Sequence, residues 1–435
     1  MSVSIRIAII GGGLAGASLI YALMKFSHLD VHIFESAAAF KEAGMAIGIA
    51  RNGQAALELI GPSAVQCLDR AGAVPMRGVR FMLAQGEGAG SMVDEVDDVV
   101  QGKRLTSIVH RATLLQELLA DVPRDRMHAS KKLQKTDGNG PITLYFTDGT
   151  THRCDILVGA DGIHSTVRKL VLGENDPAAY PQNSGAWFLM TLQPFEKAQA
   201  SLGKELVDIE DAREYGWAGK NAFLMHNILS GGELVQFAIA SNDKETEPGL
   251  SQCWYRNVGA DEIRNLYQDW PGHLKRAVNE LLCTQSEHKA LYLWDHLEAR
   301  SYVSGPICIM GDAAHSTTPW QGSGGGMSIE DSLILSTLLG RAKSPVEALT
   351  ALEVYDLVRR PRTQRIVESS RTTGTILTGS NKEMGLDPKK LRSFMSRWDF
   401  IIDIDMEKHR NEALEMMESR LKVEGTNDVT PANLS

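Results

Sequence analysis

"IRIAIIGGGLAGASLIYALMK", residues Ile5 to Lys25, decides the fold class. Ile5 to Ile10 is a short apolar run that reads as a buried strand, and the residues after the glycines have the length and composition of a helix. Gly11-x-Gly13-x-x-Gly16 falls at the junction. "VHIFE", Val31 to Glu35, reads as a second strand, so the chain opens as β-α-β. In that setting Gly11 permits a tight turn and Gly13 lets the backbone reach a pyrophosphate at the helix N-terminus. Gly16 lets helix and strand pack closely. Glu35, ending the second strand, is placed to accept hydrogen bonds from adenosine ribose hydroxyls. A lone glycine pattern is weak; strand, helix and acid together point to dinucleotide binding, without separating FAD from NAD.

The same stretch contains 18 uncharged residues, Ile7 to Met24, which resemble a short membrane span. Gly11, Gly12, Gly13 and Gly16 interrupt it, only Arg6 precedes it, and no small-residue cleavage site stands out after it. The expectation is a cytoplasmic protein with no membrane partner. A net charge of −9 gives no electrostatic reason to bind nucleic acid, which leaves a small molecule as the expected partner. The five cysteines are odd in number and form no C-x-x-C pair, so free thiols are expected, with no zinc or other metal site.

With 435 residues the chain exceeds what a single core of about 250–300 residues usually holds. Helices are expected from near Asn52 and over Arg111 to Val122. "ITLYFTDGTTHRCDILVGADG" reads as strands around an Asp148-Gly149 turn. From about Pro181 to Ala290, alternating and apolar runs separated by turn residues suggest an antiparallel sheet. "GPICIMGDAAH" returns to the parallel texture, and a long helix follows from Gly326. The expected division is a dinucleotide-binding domain of residues 1–180 and 291–360, a sheet domain of 181–290, and a helical region of 361–435. Its last eight or so residues are expected to fray.

Two further stretches carry a resemblance. "CDILVGADGIHSTVR", Cys154 to Arg168, and "GPICIMGDAAHSTTPWQGSGGGMSIED", Gly305 to Asp331, resemble the paired signatures of single-component FAD-dependent aromatic hydroxylases. "VHRATLLQELL", Val109 to Leu119, resembles the family segment whose arginine contacts FAD. The matches run in order from residue 5 to about 370, and the wording is most similar to salicylate hydroxylases. The resemblance implies an α/β fold: a Rossmann-like FAD-binding domain with an inserted antiparallel-sheet substrate domain and C-terminal helices. It implies Asp312 on the ribityl hydroxyls, and backbone N–H groups of Gly324, Gly325 and Gly326 at the pyrimidine end of the isoalloxazine. It also implies cofactor contacts for Gly48, Arg111 and Asp161, the last toward both FAD and the nicotinamide. A flexible-linker reading of the glycine run fails, because the run sits between an apolar strand and an apolar helix with no domain boundary.

The implied activity is hydroxylation of a phenolic ring. NAD(P)H, either NADH or NADPH, reduces FAD; O2 then adds at flavin C4a and the hydroperoxide delivers oxygen. Rivals are a flavin oxidase or reductase without oxygen transfer, and a non-catalytic flavin-binding protein; the assembly is a monomer or homodimer. Where relatives carry Tyr-Arg this chain has Trp187-Phe188, Pro-His-Gln becomes Pro319-Trp320-Gln321, and Arg51 stands where Pro is commoner. Phe188, Pro319 and Trp320 therefore mark the substrate pocket, and a larger or less charged phenol is expected. A hydroxyl with a free pKa of about 10 needs a proton acceptor; His226 and Tyr215, in the middle sheet, are the catalytic candidates. His315 is expected to be structural, and Arg359-Arg360-Pro361-Arg362 a solvated helix end.

Overall fold

The Ile5–Ile10 strand lies inside a six-stranded sheet, paired in parallel with Leu29–Phe34 on one side and Ile156–Gly159 on the other. Ile307–Ile309 extends the parallel order beyond Ile156–Gly159. All four residues of Ile156–Gly159 are buried, as a strand covered on both faces requires. The Leu14–Leu23 helix packs against the Gly324–Arg341 helix, so the two glycine-rich turns are neighbours although they stand at opposite ends of the sequence. This computed structural model describes residues 4–41, 46–138, 140–243 and 253–427; the expected frayed tail lies outside them. The Asp148-Gly149 turn closes a hairpin between Ile142–Phe146 and Thr151–Cys154, and the chain then enters the parallel sheet.

The second sheet has eight strands. Their order is Tyr255–Gly259, Glu287–His296, Pro181–Pro194, Leu234–Asn242, Ala222–Leu229, Arg213–Gly219, Gly78–Leu83 and Met92–Asp97. Neighbours are antiparallel except Arg213–Gly219 with Gly78–Leu83. The sheet thus exceeds the expected 181–290: it recruits two strands from residues 78–97 and runs on to His296. Strand alternation marks a strand but does not say which sheet it joins, which is why the first pair went unassigned.

Alternation divides this sheet into two faces. Leu189, Tyr215, Trp217, Leu224 and Phe237 pack with Tyr267, Trp270 and Leu274 of the segments beneath. Phe81, Phe188, Phe223, Met225 and Ala240 point the other way and meet Trp320, Ile376, Leu377 and Phe394. Ile376 and Leu377 end a 33-residue helix, Pro345–Leu377. That helix corrects two expectations. It runs straight through Arg359-Arg360-Pro361-Arg362, so there is neither a helix end nor a boundary at residue 360, and Arg359 is fully buried by its ion pairs. All five cysteines are free thiols, and no helix among the described residues is long and apolar enough to cross a membrane.

Candidate cofactor and substrate site

At the first glycine turn, packing dictates the residue type. Gly11 has φ +107°, and a Cβ there would lie 2.2 Å from the Ala160 carbonyl oxygen. A Cβ at Gly16 would lie 2.0 Å from the Gly11 carbonyl oxygen. Gly13, the N-cap of the Leu14–Leu23 helix, has no side chain to cap it, and a helix N-terminus favours an anion. Glu35 is fixed against this turn: Oε2 accepts the Gly12 N–H at 2.7 Å, and Oε1 accepts the Ala37 N–H at 2.7 Å.

Gly324, Gly325 and Gly326 differ from those glycines. None has positive φ, and Cβ atoms built there meet their nearest neighbours at 3.8, 3.4 and 3.4 Å, ordinary contact distances. Nothing in the protein itself requires glycine, and three glycines in a helix cost about 1 kcal/mol each relative to alanine. Ser323 does not cap the helix; its hydroxyl donates to the Gln321 carbonyl at 3.0 Å. The first turn therefore has no side-chain cap on its backbone N–H groups, as a flat, electron-rich group lying on the backbone would need. By contrast Gly311, with φ +57° and Ala15 Cβ 2.7 Å from its hypothetical Cβ, is dictated by packing.

The remaining implied cofactor residues gather around the same helix start. Gly48 lies between Ile47 and Ile49, the side chains that approach Gly325. Its strand, Ala46–Ile49, pairs with Thr106–His110, which leads directly into Arg111 at the start of the Arg111–Leu119 helix. Asp312 follows Gly311 and is exposed, and its carboxylate has no hydrogen bond or ion pair with a described residue. Asp161 is placed differently. Its carboxylate accepts the Ser165 hydroxyl and the N–H groups of Thr166 (2.7 Å) and Val167 (3.2 Å), and so caps the Thr166–Leu172 helix. Arg168, fully buried, donates to the carbonyls of Ala313 (2.9 Å) and Ala314 (2.6 Å) and ties this segment to the Asp312 loop.

Beneath the glycine run, buried charges hold the helix in place. Asp331 Oδ2 accepts the Gly311 N–H at 3.0 Å and lies 2.6 Å from His315 Nε2; Arg359 donates to Asp331 Oδ1 at 2.7 Å. Glu330 meets Arg359, Arg362 and Asn52 at 2.6, 2.8 and 2.6 Å. Burial alone would raise the Glu330 carboxyl, but Arg359 and Arg362 hold it well below the usual carboxylate range. His315 is a hydrogen-bonding strut in this network, in keeping with its expected structural role.

The two catalytic candidates are corrected. His226 and Tyr215 are cross-strand partners with rings 4.9 Å apart, on the face that packs against Tyr267 and Trp270. His226 is 1% exposed, and burial, with His273 nearby, pushes its pKa down to about 3. The Tyr215 hydroxyl is engaged by Arg80 at 2.7 Å and the Glu205 carbonyl at 3.0 Å. Neither reaches the opposite face. Trp187 also lies on the helix-covered side, whereas Phe188 and Trp320 are on the open one. Trp320 meets Phe223 edge-on at 5.8 Å, and Pro319 is exposed beside it. The sequence reading missed Phe81, Phe223 and Met225 on this face; counting in twos along Ala222–Leu229 would have separated Phe223 and Met225 from His226.

Comparison with known proteins agrees with this geometry. Residues 4–370 match the FAD binding domain family. The chain is 35% identical to the 6-methylsalicylate 1-monooxygenase of Aspergillus terreus, over 95% of this chain and 92% of that one. It is 30% identical to a salicylate hydroxylase of Pseudomonas putida, over 94% of each. The solved salicylate hydroxylase substrate complex superposes with a TM-score of 0.82 at 23% identity, covering 95% of this chain and 98% of that one. The chain belongs to the FAD binding domain family and is an FAD-dependent monooxygenase.

Proposed function

We propose that this monooxygenase uses NAD(P)H and O2 to hydroxylate a phenolic aromatic ring on the open face of the eight-stranded sheet. The observation that carries the reading is the Gly324–Gly326 run, where the protein leaves room for side chains and has none. Bound FAD supplies the redox chemistry, passing reducing equivalents from the nicotinamide to O2. The chain's own contribution is placement. Glu35 takes the adenosine ribose, the N-terminus of the Leu14–Leu23 helix takes the pyrophosphate, and Asp312 takes the ribityl hydroxyls. The N–H groups of Gly324, Gly325 and Gly326 stabilise negative charge on the ring system. Gly48 and Arg111 flank it, and Asp161 keeps the neighbouring loop in shape.

Phe81, Phe188, Phe223, Met225 and Trp320 offer the substrate ring an apolar bed and keep water away from the reacting atoms. None of these five is a cation, which favours a phenol held by its ring over one held by a carboxylate clamp. The names of the relatives, salicylate and 6-methylsalicylate hydroxylating enzymes, support an aromatic substrate class. The test is NADPH and NADH oxidation by purified holoenzyme with salicylate, 6-methylsalicylate and larger phenols lacking a carboxylate. A phenol that stimulates oxidation and yields hydroxylated product in matching amount supports the reading. Oxidation that yields only hydrogen peroxide with every phenol contradicts it.

A further inference from the structure

The open face of the sheet carries one row of polar side chains across three adjacent strands: Glu214, Asn227 and Gln236. Asn227 and Gln236 are register partners, and Glu214 stands one step along from the Tyr215–His226 pair. Glu214 shares its face with Gly216, two residues on, where a Cβ would touch Phe223 and Phe81 at 3.4 Å. That is the face of Phe188, Met225 and Trp320.

Two members of the row are anchored. Gln236 Oε1 accepts the Ala46 N–H at 3.0 Å, from the strand that carries Gly48, and Gln236 Nε2 donates to Asn227 Oδ1 at 3.3 Å. Glu214 is half-buried and makes no hydrogen bond or ion pair with any described residue. Apart from Asp94, opposite Phe81, the charged side chains of the flanking strands pair with one another. Arg80 pairs with Glu95; Arg213 pairs with Glu95, Asp97 and Asp211; Arg77 pairs with Asp97. Beyond them Arg51 pairs with Asp98 and Asp403. A carboxylate left alone in apolar surroundings is costly unless something else meets it. When it also shares a sheet face with Phe81, Phe223 and Met225, a role in the chemistry accounts for it better than packing does.

We propose that Glu214 accepts the proton of the substrate hydroxyl, with Asn227 beside it to orient the oxygen. In this step the phenolic O–H bond breaks and a carboxyl O–H bond forms. The electron pair stays on the phenolate oxygen, where it activates the ring, and the proton later leaves to solvent. No oxidant or reductant is needed. Burial pushes the Glu214 carboxyl up to about 7, so it ionises in the range where a general base works best. The assignment fills the role expected of His226, and it rests on the proposed hydroxylation of a phenol.

The test compares wild-type, Glu214→Gln and Glu214→Asp holoenzymes, each first checked for FAD content and thermal unfolding. In the wild type, kcat for phenol hydroxylation rises with pH through about 7 as the carboxyl ionises. Glu214→Gln loses this limb and about 100-fold or more in kcat, with KM for the nicotinamide unchanged, while Glu214→Asp recovers part of both. Independently of turnover, calorimetric binding of salicylate against 2-methoxybenzoate reads the hydroxyl contact directly. The wild type prefers the hydroxyl at pH 8, and Glu214→Gln loses the preference. A Glu214→Gln enzyme that keeps its pH limb and kcat, or the same hydroxyl preference as wild type, overturns the assignment. If the preference depends on Glu214 yet no phenol is oxygenated, the Glu214 contact stands and the hydroxylation reading falls.

Discussion

A single methyl group at Gly325 separates a glycine kept for the backbone from a glycine kept for a ligand. In Gly325→Ala the new Cβ meets Ile47 Cδ1 at 3.4 Å and the side chains of Ile49 and Leu14 at 3.5 Å, so the protein accepts it without strain. The residue lies in the first turn of an 18-residue helix and has no positive φ. Alanine should therefore stabilise the cofactor-free protein, by about 0.5–1 kcal/mol. In a chain this long that raises Tm by at most about 2 °C. FAD responds in the opposite sense. A methyl group between the helix N-terminus and a ring lying against it costs about 1–3 kcal/mol in overpacking, a 5- to 150-fold weaker Kd. Differential scanning fluorimetry of deflavinated protein reads the first effect, and titration with FAD followed by flavin fluorescence reads the second. Gly325→Ala protein that binds FAD as tightly as wild type would show instead that this glycine serves no ligand.

Three further outcomes follow from the same contacts. Glu35→Gln removes charge from the acceptor of the Gly12 and Ala37 N–H groups and leaves one of them facing an amide; FAD affinity should fall about tenfold in the same titration. His226→Phe tests the corrected role: kcat should stay within a few-fold and the pH–rate limb near 7 should persist. The folded His226 pKa of about 3 lies below the ordinary histidine value of 6.5, so the unfolded chain takes up the proton first. Its contribution to stability is complete above pH 6.5 and is lost as pH falls toward 3, at up to about 1.4 kcal/mol per pH unit. Urea unfolding between pH 7 and 4 should therefore show a shallower acid loss in His226→Phe than in wild type. Arg359→Met leaves Glu330 and Asp331 buried without their shared cation. A loss of about 3–5 kcal/mol is expected in denaturant unfolding, together with weaker FAD binding through the displaced Gly311 loop.

The parallel sheet and both glycine turns were legible because their signals are local. Gly11 and Gly16 permit in the structure the tight turn and the close packing that their spacing implied. Gly324 to Gly326 were legible through resemblance, and the space left beside them adds a physical reason. What escaped was non-local. Residues 78–97 form good strands, but only tertiary pairing shows that they complete the substrate sheet. His226 and Tyr215 have suitable chemistry, yet one step along the strand turns a side chain to the other face. Glu214 passed unnoticed because a glutamate in "REYGW" carries no signal of its own; its place beside Asn227 and Gln236 exists only once the sheet has formed. Arg359 shows the converse, since a basic run read as solvated is a buried clamp on two acids of the facing helix.

The central claim is oxygen transfer to an aromatic ring, and one measurement meets it directly. Holoenzyme, NADPH and a phenol that stimulates NADPH oxidation are incubated under isotopically heavy O2, and the product is analysed by mass spectrometry. One heavy oxygen atom is expected in the new ring hydroxyl, and none when the label is supplied in water instead. Product carrying oxygen from water, or NADPH consumed with all heavy oxygen recovered as hydrogen peroxide, would contradict it.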